Sequence, residues 1–182
     1  MTSGVPGAAG SAVSGGSAVS DADRAAIGAQ LGREPRGMHR VAHRCPCGNP
    51  DVVETLPRLP DGTPFPTTYY LTCPKAASAL GTLEAGGLMR EMSERIAADP
   101  GLAAAYARAH EDYLARRAAL GEVPEIEGIS AGGMPIRVKC LHVLAGHSLA
   151  AGPGVNPLGD ETLAAMPDWW AAGPCVPPGE VP

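Results

Sequence analysis

The sequence predicts an α+β fold, a small single domain in which a Pro-rich β-hairpin packs against about four helices. Three patterns predict it: β-branched and aromatic residues flank a turn dipeptide near residue 60, apolar residues recur at helical spacing after residue 74, and both ends are rich in Gly and Pro. A length of 182 residues suits one ordinary domain with tails. We therefore assign residues 1–20 to a disordered Gly/Ser/Ala tail, 21–170 to the domain, and 171–182 to a flexible Pro-rich tail.

The predicted hairpin turns at Asp61-Gly62, a dipeptide that is typical of tight turns. Prolines near the tip cannot donate a backbone hydrogen bond to a neighbouring strand. Pairing should therefore be best away from the tip, between residues 51–55 and 68–72.

The chain has five cysteines, an odd number that leaves at least one thiol unpaired: Cys45, Cys47, Cys73, Cys140 and Cys175. In a reducing compartment such thiols are buried, metal-bound or reactive rather than paired in disulfides. Antiparallel pairing in the hairpin brings the start of its first strand beside the end of its second. Cys47, with or without Cys45, should therefore approach Cys73, so that three thiols meet at the base of the hairpin.

The other predicted elements are helices, each indicated by a capping residue followed by apolar residues at helical spacing. Gly86-Gly87 should interrupt or kink the pattern that begins at Pro74, because glycine is a poor helix former. Asp99 and Pro100 are a good N-cap and a good first residue for the next helix. Further helices are predicted from Ser20 or Asp21 to about Leu31, over residues 137–151, and from Asp160 through Trp169-Trp170.

The charge of the chain argues against a nucleic-acid partner. Formal net charge is −5 at pH 7, whereas phosphate contacts need clustered cations. The one locally basic stretch, residues 33–44, has no interleaved aromatic residues, and we interpret it as a solvated arm on the domain.

Neither a membrane span nor a secretion signal is indicated. No apolar run reaches the roughly 18 residues that a bilayer requires. The N-terminal segment lacks the basic and Leu-rich parts of a secretory signal. We expect a cytoplasmic protein without a membrane partner, while the oligomeric state and other partners stay open.

The segment from Arg137 to Ala151 carries polar residues on an otherwise apolar helical pattern. At about 100° per residue, Cys140 and His147 lie only some 20° apart around a helix. These two side chains are therefore predicted to serve one site. His142 points away from both unless the segment begins without helical structure.

Four strings in this chain resemble, in order, a bacterial domain-of-unknown-function family, the one numbered five hundred and one. They are RCPCGNPDVVET, DGTPFPTTYYLTCP, LEAGGLMRE and RVKCLHVLAGHSLAAGPGVNPLGDE. The resemblance covers roughly residues 24 to 165 and implies an actinobacterial-type member of a family with no agreed activity or cofactor. It also marks as recurring reactive positions Cys45, Cys73, Cys140, His142 and His147. Where other members often have a further His, this chain has Leu144.

Zinc binding is the function that this residue set favours, in a structural or accessory role. Zinc takes Cys sulfur and His nitrogen in tetrahedral geometry, and the candidate ligands are Cys45, Cys73, Cys140, His142 and His147, with Cys47 as a further thiol. The spacing itself adds little, because the chain has Cys-x-Cys but no Cys-x-x-Cys pair.

Two alternatives remain open. The cysteines can be small buried hydrophobes while the histidines bond to loop carbonyls. The chain can also be a cysteine- or metal-dependent enzyme, in which Cys140 or Cys73 is the nucleophile and His147 or His142 its base. In that case Arg44 or Arg58 would bind an anionic or phosphorylated substrate.

Overall fold

A computed structural model describes residues 17–176 and confirms the α+β fold, since these residues form a four-stranded antiparallel sheet and six α-helices. The strands are β1 (Ser17–Ala18), β2 (Met38–Arg44), β3 (Pro50–Thr55) and β4 (Tyr69–Leu71). The helices are α1 (Asp21–Leu31), α2 (Pro74–Ala85), α3 (Leu88–Ala98), α4 (Pro100–Ala118), α5 (Leu141–Ala151) and α6 (Pro157–Ala165), with a 3-10 turn at Pro124–Ile126. The tail predictions for residues 1–16 and 177–182 lie outside the described residues. From residue 17 to residue 176, no helix is both long and apolar enough to cross a bilayer.

The predicted hairpin is present as β3 and β4, in the register expected from the sequence. Val52 pairs with Leu71 and Glu54 pairs with Tyr69. The strands follow one another across the sheet in the order β1-β2-β3-β4, and every neighbouring pair is antiparallel. The start of β3 therefore lies beside the end of β4, as the predicted convergence of thiols requires.

The basic stretch that we interpreted as a solvated arm is partly wrong, because residues 38–44 form β2 and pair with β3. Val41 and Ala42 are buried, and Arg40 makes a two-pronged ion pair with the buried carboxylate of Glu54 at 2.6 and 2.8 Å. Register shifts on either side of His43 break the inward and outward alternation of side chains. Without that alternation the strand is difficult to recognise in the sequence.

Helix α5 packs on the sheet and contributes the centre of the core. Leu141 and Leu144 are fully buried and belong to one apolar cluster with Val52 and Tyr69. Helix α1 contacts β3, and its fully buried residue is Ile27. The central strand β3 is buried along its whole length.

The glycine and proline signals place the breaks between α2, α3 and α4 correctly. Gly87 has a φ of 91°, a left-handed conformation that side chains rarely adopt, and it precedes the first residue of α3. Asp99 caps α4, since its Oδ1 accepts hydrogen bonds from the backbone N–H groups of Gly101 and Leu102 at 2.8 and 3.1 Å.

Helix α5 begins at Leu141, four residues later than predicted, and Cys140 is its N-cap residue. Its first backbone N–H, that of Leu141, donates to Oε1 of Glu84 on α2 at 2.7 Å. A carboxylate from another helix thus satisfies a donor that the helix itself leaves free. Cys140 therefore precedes the helix rather than lying on its surface. The prediction that Cys140 and His147 lie on one face of a helix is wrong.

The last helix also differs from its prediction. Helix α6 begins at Pro157 after an Asn156 cap and ends at Ala165, before the two tryptophans. Asp160 lies inside its first turn and accepts a hydrogen bond from the Gly154 backbone at 2.7 Å. An Asn-Pro pair therefore sets the start that we assigned to Asp160.

Candidate metal sites

Four cysteines gather at the base of the hairpin. Cys45 follows β2, Cys47 lies in the turn to β3, and Cys73 follows β4 as the N-cap residue of α2. Cys175 arrives from the C-terminal segment and is buried among them. The predicted meeting of thiols is therefore present, and a fourth sulfur joins it.

Three sulfurs of this cysteine cluster lie at distances suited to one metal ion. Those of Cys45, Cys47 and Cys175 are all within 4.8 Å of one another, and the last two are 3.4 Å apart. The Cys73 thiol packs against Cys175. Zn–S bonds of about 2.3 Å in a tetrahedron place sulfurs roughly 3.8 Å apart. Three sulfurs with this spacing, together with the Cys73 thiol packed beside Cys175, could hold a zinc ion.

Backbone amides point at two of the sulfurs. The turn after β2 is tight, because the Gly48 N–H donates to the Cys45 carbonyl at 2.8 Å, and Gly48 has a φ of 91°. Within this turn the Cys47 backbone N–H favours the thiolate form of Cys45, and the N–H groups of Lys75 and Ala76 favour that of Cys73. Donors of this kind favour sulfur that carries negative charge. Burial nevertheless raises the pKa of Cys45, and the neighbouring Cys175 raises that of Cys73.

Two side-chain amides complete the polar surroundings. Gln30 Nε2 lies 3.2 Å from the Cys175 sulfur and also donates to the Pro50 carbonyl at 2.7 Å. Asn49 Nδ2 lies 3.8 Å from the Cys47 sulfur. Hydrogen bonds from Cys73 and then from Cys47 and Gln30 hold the pKa of Cys175 below its usual range. These contacts therefore favour the thiolate form of Cys175.

The cysteine cluster is largely enclosed, and Cys47 is its one partly exposed member. Cys45, Cys73 and Cys175 are 3 %, 0 % and 8 % exposed, and Trp169 and Met166 pack beside them. Burial raises the pKa of Cys45 to about 12, since a buried thiolate lacks hydration. A bound cation would supply the missing stabilisation, and four sulfurs would leave no position for water.

Two other predicted ligands, Cys140 and His142, meet a residue that the sequence prediction did not include. His142 Nδ1 lies 3.1 Å from Oε1 of Glu84, and the Cys140 sulfur lies within 4.8 Å of a ligand atom from each. The neighbouring Cys140 and then Glu84 raise the pKa of His142 to about 9. Since Cys73 precedes α2 and Glu84 lies near its end, about 16 Å of helix separates this trio from the cysteine cluster. The predicted sharing of one site by Cys73 and Cys140 is therefore absent.

His147 belongs to neither group, because it is fully buried in the core between two tyrosines. Its Nε2 lies 2.9 Å from the Asp112 carboxylate, and its Nδ1 lies 3.3 Å from the amide nitrogen of Asn156. Since that amide nitrogen is a donor, Nδ1 accepts and Nε2 carries the proton. Burial lowers the pKa of His147 and keeps the ring neutral. Both ring nitrogens are thus used in holding the core together.

The two arginines predicted to bind substrate are each paired with a carboxylate. Arg44 holds Asp23 at 2.7 and 2.9 Å, and this pairing lowers the pKa of Asp23 to about 2. Arg58 holds Glu125 at 2.9 and 2.7 Å near the tip of the hairpin. Substrate binding by either arginine stays a prediction. It would require Arg44 or Arg58 to break its ion pair with Asp23 or Glu125.

Sequence reasoning missed two participants, Cys175 and Glu84. Cys175 lies in a segment rich in Gly and Pro that predicts a tail, yet Cys175 and Val176 are buried. The predicted boundary at residue 170 thus precedes a packed segment. The one available signal was the odd number of cysteines. Glu84 has the helical spacing of a surface carboxylate, and no sequence signal distinguishes it from its neighbours.

These features define a small α+β domain with a buried cluster of four cysteines. A family model described as "Protein of unknown function (DUF501)" matches residues 41–164, more than half of the chain, and the chain belongs to that family. The match includes Cys45, Cys47 and Cys73 and ends before Cys175. Searches of curated proteins and of solved structures each gave no match.

Proposed function

We propose that this chain is a cytoplasmic zinc-binding domain, of the actinobacterial type, in which Cys45, Cys47, Cys73 and Cys175 hold one structural zinc ion. The observation that carries the proposal is the convergence of three sulfurs within 4.8 Å of one another, with Cys73 packed against Cys175 and the side-chain amides of Gln30 and Asn49 close to two of the sulfurs. A site closed by four protein ligands is typical of zinc that stabilises a fold rather than zinc that reacts. The role would then be structural or accessory.

The surroundings favour metal over thiols that are merely buried hydrophobes. A buried thiol needs no strong donor, whereas here Gln30 approaches Cys175 to 3.2 Å while remaining bonded to the backbone of β3. Second partners of this kind orient metal ligands and offset their negative charge. The sulfurs of Cys47 and Cys175 at 3.4 Å are also not bonded to each other, so a disulfide does not account for the cluster.

The proposed zinc would connect parts of the chain that are distant in sequence. Cys47 and Cys175 are 128 residues apart, and a shared ion would tie the hairpin base to the C-terminal segment. A ligand present at about a thousand times its dissociation constant adds about 4 kcal/mol to the free energy of unfolding. In a domain of this size, that corresponds to roughly 8–16 °C in Tm.

Elemental analysis and thermal melts of the full chain, purified without chelator, test this proposal. We expect one zinc ion that withstands a weak chelator, and we expect Cys175→Ser to lose that ion and to melt roughly 8–16 °C lower. Cys140→Ser is the matched control, because its sulfur lies outside the cluster and the tightly held ion should remain. Cobalt substitution adds a readout that does not depend on stability, since thiolate ligation gives characteristic absorption.

The proposal is rejected if well-folded wild-type protein binds no ion that resists the weak chelator. It is also rejected if Cys175→Ser and Cys140→Ser retain equal amounts of that ion. Should Cys175→Ser fail to fold, the cobalt spectrum of the wild type decides, because a tetrathiolate spectrum requires all four sulfurs of the cluster.

A further inference from the structure

A second set of metal-binding side chains lies where the end of α2 meets the start of α5. It consists of Glu84, Cys140 and His142, and a ligand atom of each lies within 4.8 Å of the other two. The 3.1 Å between Glu84 Oε1 and His142 Nδ1 is close to the roughly 3.3 Å that separates nitrogen and oxygen ligands of one tetrahedral zinc. One sulfur, one imidazole nitrogen and one carboxylate oxygen are all donors that zinc accepts.

This trio is held in place by backbone structure. Glu84 Oε1 accepts the Leu141 N–H at 2.7 Å, which fixes the carboxylate over the first turn of α5. Cys140 is the N-cap residue of that helix, and His142 lies in its first turn. An ion would therefore find three donors already close together, without reorganisation of either helix.

The trio differs from the cysteine cluster in being open to solvent. The side chains of Glu84 and His142 are 23 % and 30 % exposed, and Cys140 is also partly exposed. Water or a small ligand can therefore reach the trio from solvent.

We infer that Glu84, Cys140 and His142 form a second zinc site, in which water or a small anion occupies the fourth position. Zinc with three protein ligands and one open position is the arrangement found in catalytic sites. There the ion lowers the pKa of bound water to about 7 and polarises a carbonyl or phosphoryl oxygen. This inference does not depend on the cysteine cluster, and it locates the metal-dependent enzyme alternative at the trio.

Metal titration of the full chain tests the inference, with zinc in equilibrium dialysis and cobalt in absorption spectroscopy. We expect His142→Asn and Glu84→Gln each to weaken one equivalent of metal at least tenfold. The exposed residues His39 and Glu94 offer matched controls, and His39→Asn and Glu94→Gln should bind as the wild type does. Added azide should change the cobalt spectrum of the wild type but not that of His142→Asn, because only an open position accepts an anion.

Different experimental results would reject the two proposed sites. Loss of the tightly held ion in Cys175→Ser with no change in His142→Asn or Glu84→Gln overturns the second site and supports the first. Loss of an equivalent in the latter two variants alone supports the second site and rejects the first. A second equivalent whose cobalt spectrum does not respond to azide overturns the open position.

Discussion

The two ends of helix α2 carry two different sets of side chains that could hold a metal ion. At its start, four sulfurs are enclosed by apolar residues and by amide donors. At its end, one sulfur, one imidazole and one carboxylate lie partly exposed. Cysteine occurs in both, so the kind of ligand does not distinguish them. The two sets differ instead in the number of protein ligands and in their exposure to water. Four enclosed ligands at the start of α2 suit a structural ion, whereas three partly exposed ligands at its end suit an ion that exchanges a fourth ligand.

Deletion of C-terminal residues is expected to have the largest effect on stability and metal content, and it should affect only the cysteine cluster. Deleting residues 175–182 removes the fourth sulfur and the buried Val176, and should cost at least about 4 kcal/mol together with the tightly held ion. Deleting residues 177–182 keeps all four cysteines and is the control. Chemical denaturation and elemental analysis of both proteins provide the measurement. Equal metal content in the two would show that Cys175 is not a ligand.

Replacing His147 should reduce stability without loss of metal from either site. His147→Ala opens a cavity beside Tyr69 and Tyr113 and leaves Asn156 without its partner, at a cost of about 3 kcal/mol. His142 stands on the same helix, and His142→Asn should show the reverse, a loss of metal with little change in stability. Urea unfolding and metal analysis of both variants compare them, and loss of metal in His147→Ala would place that residue in a site after all.

The ion pair between Asp23 and Arg44 should have a smaller, pH-dependent effect. Asp23→Asn is expected to cost about 1 kcal/mol near pH 7, because the pair is partly exposed and also supports the cap of α1. The folded state lowers the pKa of Asp23 from 3.8 to about 2. Its contribution should therefore be fully present above about pH 5 and lost as the pH falls from about 4 towards 2.

Melting curves of the wild type and Asp23→Asn between pH 2 and 7 measure this difference. Asp21→Asn is the control, since Asp21 is an exposed neighbour in the same helical turn. A difference that stays constant down to pH 2 would mean that the charge of Asp23 contributes nothing.

The sequence predicted those elements whose signals are local. The β3–β4 hairpin followed from Asp61-Gly62 and β-branched residues, and the break between α2 and α3 followed from two glycines. The sequence prediction was wrong where an element depends on contact with a residue that is distant in the chain. The start of α5 depends on a carboxylate 57 residues earlier in the chain, so a periodicity that suits a longer helix misplaced Cys140.

The cysteine cluster likewise has one part that the local sequence predicts and one part that it does not. The meeting of Cys45, Cys47 and Cys73 follows from hairpin topology, which is encoded nearby in the chain. The burial of Cys175 does not, because a Pro-rich segment has little apolar surface of its own and here packs in a cluster with Cys73 and Ala76, about a hundred residues earlier in the chain.

The position of Cys175 also has a consequence for synthesis of the chain. At about 5–20 residues per second, a ribosome takes roughly 6–26 seconds to add the 128 residues that separate Cys47 from Cys175. Throughout that interval the nascent chain exposes up to three neighbouring thiols with no fourth to close around an ion. Oxidants and copper, which soft sulfur ligands bind more tightly than zinc, have their best access to these thiols then. Four sulfurs can enclose an ion only after Cys175 has been added, so the proposed zinc site is completed at the end of synthesis.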